Sequence, residues 1–512
     1  MRPIITFTYM TTTRLEPSSG AHDALAAPPR PGGALGRVDT ICFLIAAIVV
    51  LDTLGAVAMG GVQTMSWLLI VAVLFFFPAG LVVAELGSTF PDQGGPYRWV
   101  RLAFGRRAGA FVALSYWGDT TVWVGGSLAI TAVAVVDHLI VEVAGIAAIV
   151  LAVAFIWVAT LLAAAPLRTG RRFPVIGAAV QVGLLAVFTT TVGLYAVRHG
   201  VQGVTVFDAI PSWAGALVVA PVLVYSFLGL ELPSAAAGEM KDPQADVPAA
   251  IARAGMIVTI LYSVPILAIL LVVPAAERTG LTGFIDAIDT VFTVYGPAAG
   301  AMRTLAGIAF VWVLLTNAQT WLIGSTRAQA VASADGAGPA ALGRIADRTG
   351  TPLRSTTISG IGATVTALAA FAVAGNDNDT HFVLVLSVSI AMLAMSNLLV
   401  FPSLVRLRIS HADLVRPYRV PGGAIGAWLA SGLATGWVAL AIVAVLWPGL
   451  GTSSPDAHLP PGFVGNRLGF VVAQFIPLVL VGATAVLFAH TGERRSHRMP
   501  VVTSPEATVT SP

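Results

Sequence analysis

Residues 225–233 read Tyr225-Ser226-Phe227-Leu228-Gly229-Leu230-Glu231-Leu232-Pro233 and close an otherwise uncharged run that begins near 209. Pro233 lacks a backbone donor and disfavours helical geometry at Leu232, so a helix entering this stretch is expected to break. A helix interrupted inside a bilayer exposes N–H and C=O groups, which is tolerated only where they line a cavity or bind something. A second stretch of this kind is Leu54-Gly55-Ala56-Val57-Ala58-Met59-Gly60-Gly61, directly after Asp52-Thr53. Gly55 and Gly60 permit unwinding and close approach of a ligand to bare N–H groups. Each interruption falls early in a block of five apolar segments. Two inverted repeats would therefore set the breaks opposite one another near mid-membrane, with half-helix N-termini offering positive dipole ends to a carboxylate. The competing reading of both glycine stretches is close helix packing.

Working outward, the composition points to lipid. Of 512 residues, 56% are hydrophobic and 10% are Asp, Glu, Lys or Arg, against about 25% charged in soluble chains. A transmembrane helix needs roughly 20 apolar residues. Uncharged windows of that length occur at 143–167, 173–197, 209–230, 254–276, 304–326, 355–376, 382–405 and 468–489, with one more span inside 420–455. Region 38–91 holds two spans around Gly60-Gly61, and 107–136 holds one interrupted by Asp119, which makes twelve. With the N-terminus inside, 24 of the 28 Lys and Arg residues fall on cytoplasmic segments; Arg198, Arg278, Arg303 and Arg467 do not. That bias sets the orientation and supports an even number of spans, with both termini cytoplasmic.

The expected fold is an all-α polytopic membrane protein. Its organisation is a flexible cytoplasmic tail at 1–35, a first five-helix repeat at 36–200, a second at 201–410, helices eleven and twelve at 411–490, and a cytoplasmic tail at 491–512. The first sustained apolar run starts near Val38 and continues into a polytopic core, which disfavours a cleavable signal peptide. In the outer loop at 275–300, Phe284-Ile285-Asp286-Ala287-Ile288-Asp289 is expected to form a short surface helix, either an inert cap or a gate-forming lid.

Intramembrane carboxylates are expensive unless paired, protonated or facing water. Asp52, Glu85, Asp119 and Glu231 are the candidates, with coupling or structural roles. Glu231, beside Gly229, suits proton carriage or holding the broken helix through hydrogen bonds. Glu85 suits contact with a loop arginine, and Asp52 suits either a substrate amine or an N-cap. Tyr225, Phe227 and Gly229 are candidate substrate-binding residues, with Phe227 the preferred gate. Gly55, Ala56, Val57, Ala58, Met59, Gly60 and Gly61 are the binding candidates at the first break. Trp117, Trp312, Thr316 and Asn317 are candidate pathway residues. Trp123, Trp321 and Gln319 share their character, since aromatic faces attract cations and polar groups in an apolar run turn inward.

Several function classes are excluded. No phosphate-cradling glycine loop, nucleophile elbow or metal-ligand spacing occurs, so neither an enzyme nor a metal site nor a cofactor is expected. The one cysteine, Cys42, lies in an apolar run and suits packing. The net charge of +3 is distributed by topology and carries no nucleic-acid signal.

Further motifs resemble the amino acid–polyamine–organocation (APC) superfamily of permeases, in its bacterial-type amino acid permease branch. They are Ala84-Glu85-Leu86-Gly87-Ser88-Thr89-Phe90-Pro91, then Gly94-Gly95-Pro96-Tyr97-Arg98-Trp99-Val100 and Phe104-Gly105. Phe227-Leu228-Gly229-Leu230-Glu231 continues the resemblance through Gly238-Glu239-Met240-Lys241-Asp242-Pro243 to Asp246-Val247-Pro248. Arg327, with Asp335-Gly336 and Pro339, and Arg416-Pro417-Tyr418-Arg419-Val420-Pro421-Gly422-Gly423 complete it over about residues 36–490. The resemblance implies a LeuT-type fold of two inverted five-helix repeats plus two additional helices. It implies alternating-access transport of an amino acid across the plasma membrane, as exchanger or proton-coupled symporter. Substrate carboxylate would meet the backbone around Gly55 to Gly61, and substrate amine the carbonyls of the 225–233 break. The branch most similar around 225–233 contains arginine/agmatine and glutamate/GABA exchangers. Two departures stand out. The first break lacks the tight Gly-Ser-Gly type of turn, which favours a polyamine such as putrescine or another organic amine. The segment Phe173–Val197 carries Gln181 and no lysine, so it supplies no titrating charge. A solute sensor on the same fold is a third reading. The expected partners are an amino acid or amine, protons and the lipid bilayer.

Overall fold

In lipid, backbone polar groups must be satisfied within their own segment, so long apolar runs fold as helices. The computed structural model describes residues 35–166, 172–203, 205–237, 240–275, 278–346, 348–374, 378–450 and 459–496. Among these, regular structure is helical apart from an isolated bridge between Leu35 and Met240. The expected tails lie outside the described residues, save Leu35 and residues 491–496.

The chain enters through α1 (Arg37–Ile48) and α2 (Thr53–Ala58), then α3 (Gln63–Thr89), the short α4 (Gly95–Phe104) and α5 (Arg106–Leu139). Next come α6 (Ile146–Ala164), α7 (Arg172–His199), α8 (Trp213–Ser226), α9 (Leu232–Ala235) and α10 (Pro243–Val272). A kinked pair follows, α11 (Gly283–Phe292) and α12 (Ala299–Ala334), and then α13 (Leu353–Ala374), α14 (Asn378–Ser410), α15 (Gly423–Leu446) and α16 (Arg467–Ser496). Among the described residues, ten helical stretches are long and apolar enough to cross a membrane. The two expected spans without a continuous helix are the interrupted ones, α1/α2 and α8/α9. Large apolar side chains such as Leu161, Ile361, Leu429 and Leu480 are exposed on the outer faces of their helices. Lipid tails, as apolar as these side chains, are the natural cover for them.

Three helices line the middle. α1 packs against α7, α10 and α12, α5 packs against α12, α14 and α16, and α8 packs against α15. At the end of the bundle where α1 begins, several latches cross between helices. Lys241 N–H donates to the Leu35 carbonyl at 2.9 Å, and Arg37 pairs with Asp246 at 3.0 Å. Asp335 accepts from Tyr97 at 2.8 Å and pairs with Arg101, tying α4 to the segment after α12. Glu85 on α3 takes Arg408 Nε at 2.7 Å and a second Arg408 nitrogen, Arg416 Nε at 3.2 Å and the Val420 N–H at 2.7 Å. Glu85 is thus the hub of a clamp between α3, the end of α14 and the segment leading to α15. Burial draws Arg416 below the usual guanidinium range, and the Glu85 carboxylate pulls it back.

At the opposite end, α11 forms over the expected 284–289 segment but is buried rather than superficial. Phe284, Ile285, Ile288 and Phe292 are all 2% exposed or less, because they make one apolar face that turns into the bundle. α2 rests on this cap. A Cβ at Gly55 would meet the Gly280 carbonyl oxygen at 2.7 Å and that of Thr279 at 3.0 Å. Gly55 therefore serves close packing, and the unwinding expected at 54–61 is corrected: Thr53–Ala58 is helical.

Candidate functional site

The first helix opens earlier, at 49–52. Val49 is extended (φ −78, ψ 101), and the carbonyls that α1 leaves bare are met by side chains of three other helices. Asn317 Nδ2 donates to Ala46 and, at 3.3 Å, to Val49; Trp321 Nε1 donates to Ala47 at 2.8 Å. Gln181 Nε2 donates to Val49. The Tyr262 hydroxyl spans the gap, donating to Ile48 at 2.7 Å and accepting from the Val50 N–H at 3.1 Å. Buried backbone groups left without partners cost about 1–3 kcal/mol each, so this set of side chains holds the break open.

The second break lies where Gly229 and Pro233 predict it. α8 ends at Ser226, Gly229 takes φ +111, and Glu231 Oε2 accepts the Gly229 N–H at 3.3 Å. A side chain at Gly229 is disfavoured twice, by that φ and by Trp321, whose ring carbon lies 3.1 Å from an added Cβ. Gly229→Ala is expected to destabilise the protein by about 1–3 kcal/mol, read as a lowered melting temperature in detergent; an unchanged melting temperature would show that the turn tolerates a side chain.

The two breaks meet in a small central chamber of about 10 Å³, lined by Ala47, Ile48, Val50, Thr53, Trp123, Tyr225, Ser226, Leu228 and Trp321. Trp123 and Trp321 stand edge to face at 5.8 Å, and Tyr116 lies 5.7 Å beyond Trp321. Asp52 is tied to the lining residue Trp123. Its Oδ2 accepts from Trp123 Nε1 at 3.2 Å and from Ser127 Oγ at 2.6 Å, while Oδ1 is buried without a partner. Ser127 reaches Asp52 from a π-helical turn in α5, Val124–Leu128; such turns are frequent at functional sites. A separate cavity of about 590 Å³ opens at the far end of the bundle, between Met59, Gly60 and Gln63, Ser212 and residues 214–222 of α8, and α14 and α15. Tyr225, one helical turn beyond Val222 of that cavity, faces the chamber.

Several candidates sit elsewhere. Phe227 stacks on Phe76 at 4.7 Å and is outside the chamber lining, so Tyr225 rather than Phe227 faces the space between the breaks. Trp117 donates to Ser359 Oγ at 2.6 Å and ties α5 to α13. Trp312 packs on Phe173 at 4.6 Å, and Thr316 presses against Gly177. These three join helices, because their directions around α5 and α12 point to neighbours and not to the breaks. Asn317 supports the break without lining the chamber. Asp52 makes no N-cap bond to α2, since Trp123 and Ser127 hold its carboxylate. Ala56, Met59 and Gly60 line the far cavity. Val57 is buried, and Gly61 (φ +72) turns the chain towards α3. Sequence reasoning missed Tyr262 and Ser127; Gln181 was visible only as a polar residue in an apolar run.

The family profile described as amino acid permease matches residues 35–461. The chain belongs to this family. Two of the permease's relatives are antiporters of Lactococcus lactis. One, a probable agmatine/putrescine antiporter, is 25% identical over 75% of this chain and 81% of its own. The other, a glutamate/gamma-aminobutyrate antiporter, is 20% identical over 81% and 83%. An uncharacterised transporter of Legionella pneumophila is 28% identical over 76% of the permease and 84% of its own length. Among solved structures, the Eremococcus coleocola manganese transporter in complex with an aromatic bis-isothiourea substituted compound superposes with a TM-score of 0.58. It is 16% identical and covers 92% of the permease and 97% of its own chain. The permease therefore has the LeuT-type fold of the APC superfamily and is a multi-pass membrane transporter, not an enzyme.

Proposed function

We propose that this permease carries a small organic amine, such as a diamine or guanidino-amine, across the plasma membrane by alternating access. The observation that carries this reading is Asp52, a buried carboxylate bonded to the chamber-lining Trp123 and without a cationic partner among the described residues. It stands at the N-terminus of α2, where an amino acid substrate's own carboxylate would have to sit, and two like charges there repel. The indole and phenol rings of Trp123, Tyr225 and Trp321 offer faces to an ammonium group. The agmatine/putrescine antiporter among the relatives supports the same class. The distribution of Lys and Arg supports an orientation with both termini cytoplasmic. In that orientation the latches around Leu35, Glu85 and Asp335 close the inner side, and the 590 Å³ cavity opens outward.

The second reading is an amino acid, exchanged or symported with protons, and the family itself favours it. Proteoliposome counterflow with labelled putrescine and agmatine against labelled glutamate, arginine and neutral amino acids separates the two. Saturable amine counterflow without glutamate flux is the expected result. Flux of a neutral or acidic amino acid with no amine flux would replace the amine reading by the second.

A further inference from the structure

Apart from the chamber and the far cavity, a groove of about 150 Å³ lies between residues 76–84 of α3 and residues 248–255 of α10. The buried Leu230 of the second break lines it too, and Tyr418, from the segment leading to α15, is its one polar lining side chain. Phe77, 44% exposed, and the exposed Ala252 carry the groove to the outer face of the bundle. Two glycines leave the room. A Cβ at Gly80 would stand 3.1 Å from Ile251, and one at Gly255 would stand 3.5 Å from the Phe77 ring. An apolar cavity of roughly 150 Å³ stays dry and takes a benzene-sized hydrocarbon.

The charge beside Tyr418 is one-sided. Residues 406–419 hold four arginines and a single acid, Asp413, which forms no ion pair with them among the described residues. Glu85 answers Arg408 and Arg416. Arg419 is exposed and has no ion pair among the described residues, while its neighbours fix its place: Tyr418 lines the groove, and the Val420 N–H is held by Glu85 at 2.7 Å.

We propose that this groove holds part of one acyl chain of an anionic phospholipid whose phosphate pairs with Arg419. A helix of a second copy, about 10–12 Å across with its side chains, is too wide for the space, whereas a lipid tail is narrow and is supplied by the bilayer itself. The unanswered guanidinium selects the headgroup, since arginine meets a phosphate through two parallel N–H···O bonds. Tyr418 suits the boundary between tail and headgroup, where amphipathic rings gather. Leu230 lies between Gly229 and Glu231, so a chain in the groove touches the second break and favours the arrangement present here over any that closes the groove. The site rests on membrane residence and is independent of which solute the permease carries.

Native mass spectrometry of the purified full-length permease, titrated in detergent with phosphatidylglycerol or with phosphatidylcholine of the same chains, tests this without substrate. The first phosphatidylglycerol is expected to bind more tightly than the first phosphatidylcholine. Arg419→Gln is expected to weaken that binding about fivefold, the effect of one arginine at an anionic lipid surface. Arg354→Gln, which removes an exposed arginine at the start of α13, is expected to leave it unchanged. Gly255→Leu fills the groove and is expected to abolish the preference, together with the rise in melting temperature that phosphatidylglycerol gives the native protein. Ala252→Leu narrows the groove from its exposed rim without disturbing buried packing, and decides the matter where Gly255→Leu fails to give a monodisperse size-exclusion profile. Equal native affinity for the two lipids would overturn the proposal, as would equal losses in Arg419→Gln and Arg354→Gln. Undiminished phosphatidylglycerol binding in Arg419→Gln, or in the folded groove variants, would overturn it as well.

Discussion

Replacing Glu85 by alanine is expected to destabilise the folded permease by about 3–5 kcal/mol, the range for removing one partner from a buried ion pair. The carboxylate is 1% exposed and its two guanidinium partners are also largely withdrawn from solvent, Arg416 at 5% and Arg408 at 17%. Alanine leaves both cations without a counter-charge, held only by the Gly423 carbonyl (Arg408) and the Leu407, His411 and Leu414 carbonyls (Arg416), and takes the carboxylate from the Val420 N–H. The clamp also fixes geometry. It joins α3 to the end of α14 and to the segment leading into α15, so its loss frees the end of the bundle that the proposed orientation puts inside. Glu85→Gln keeps one acceptor oxygen and is expected to fall between native and alanine. Thermal unfolding in detergent, followed by intrinsic tryptophan fluorescence, reads the order native, glutamine, alanine. Equal melting temperatures for all three would show that the clamp contributes nothing to stability.

Asp52→Asn is expected to have the largest effect on transport while leaving the fold intact. The amide oxygen accepts from Trp123 and Ser127 as the carboxylate oxygen does, so the link between residue 52 and α5 survives. What disappears is the charge beside the chamber. Hydrogen bonds to charged groups contribute about 1.5–3 kcal/mol, and the corresponding loss in amine affinity is about 10–150-fold. Competition by unlabelled putrescine or agmatine in counterflow measures it. Native affinity in the asparagine variant would remove Asp52 from the binding site, while the family membership would stand.

Much of the fold was legible in the sequence because it depends on local properties. The length of the apolar windows and the Gly229–Pro233 chemistry are each carried by neighbouring residues, and the second break lies where they predict. The candidate site was less legible. Gly55 reads as an unwinding residue, yet its missing side chain makes room for the carbonyls of residues 279 and 280, which are remote in sequence. Phe227 reads as a gate because it borders a break, but Phe76 and Tyr262 draw its ring away from the chamber.

By itself, then, the sequence determined membrane residence, helical class, the resemblance to permeases and the position of the second break. Only the tertiary structure decided that the first helix opens at 49–52 and that Tyr225, Trp123 and Trp321 line the space it creates, with Asp52 bonded to Trp123. The reason is physical: nothing within 46–52 compels a helix to stop there. The bare carbonyls are held by Gln181, Tyr262, Asn317 and Trp321, between 132 and 274 residues away along the chain. A break stabilised by such distant donors leaves no local signature.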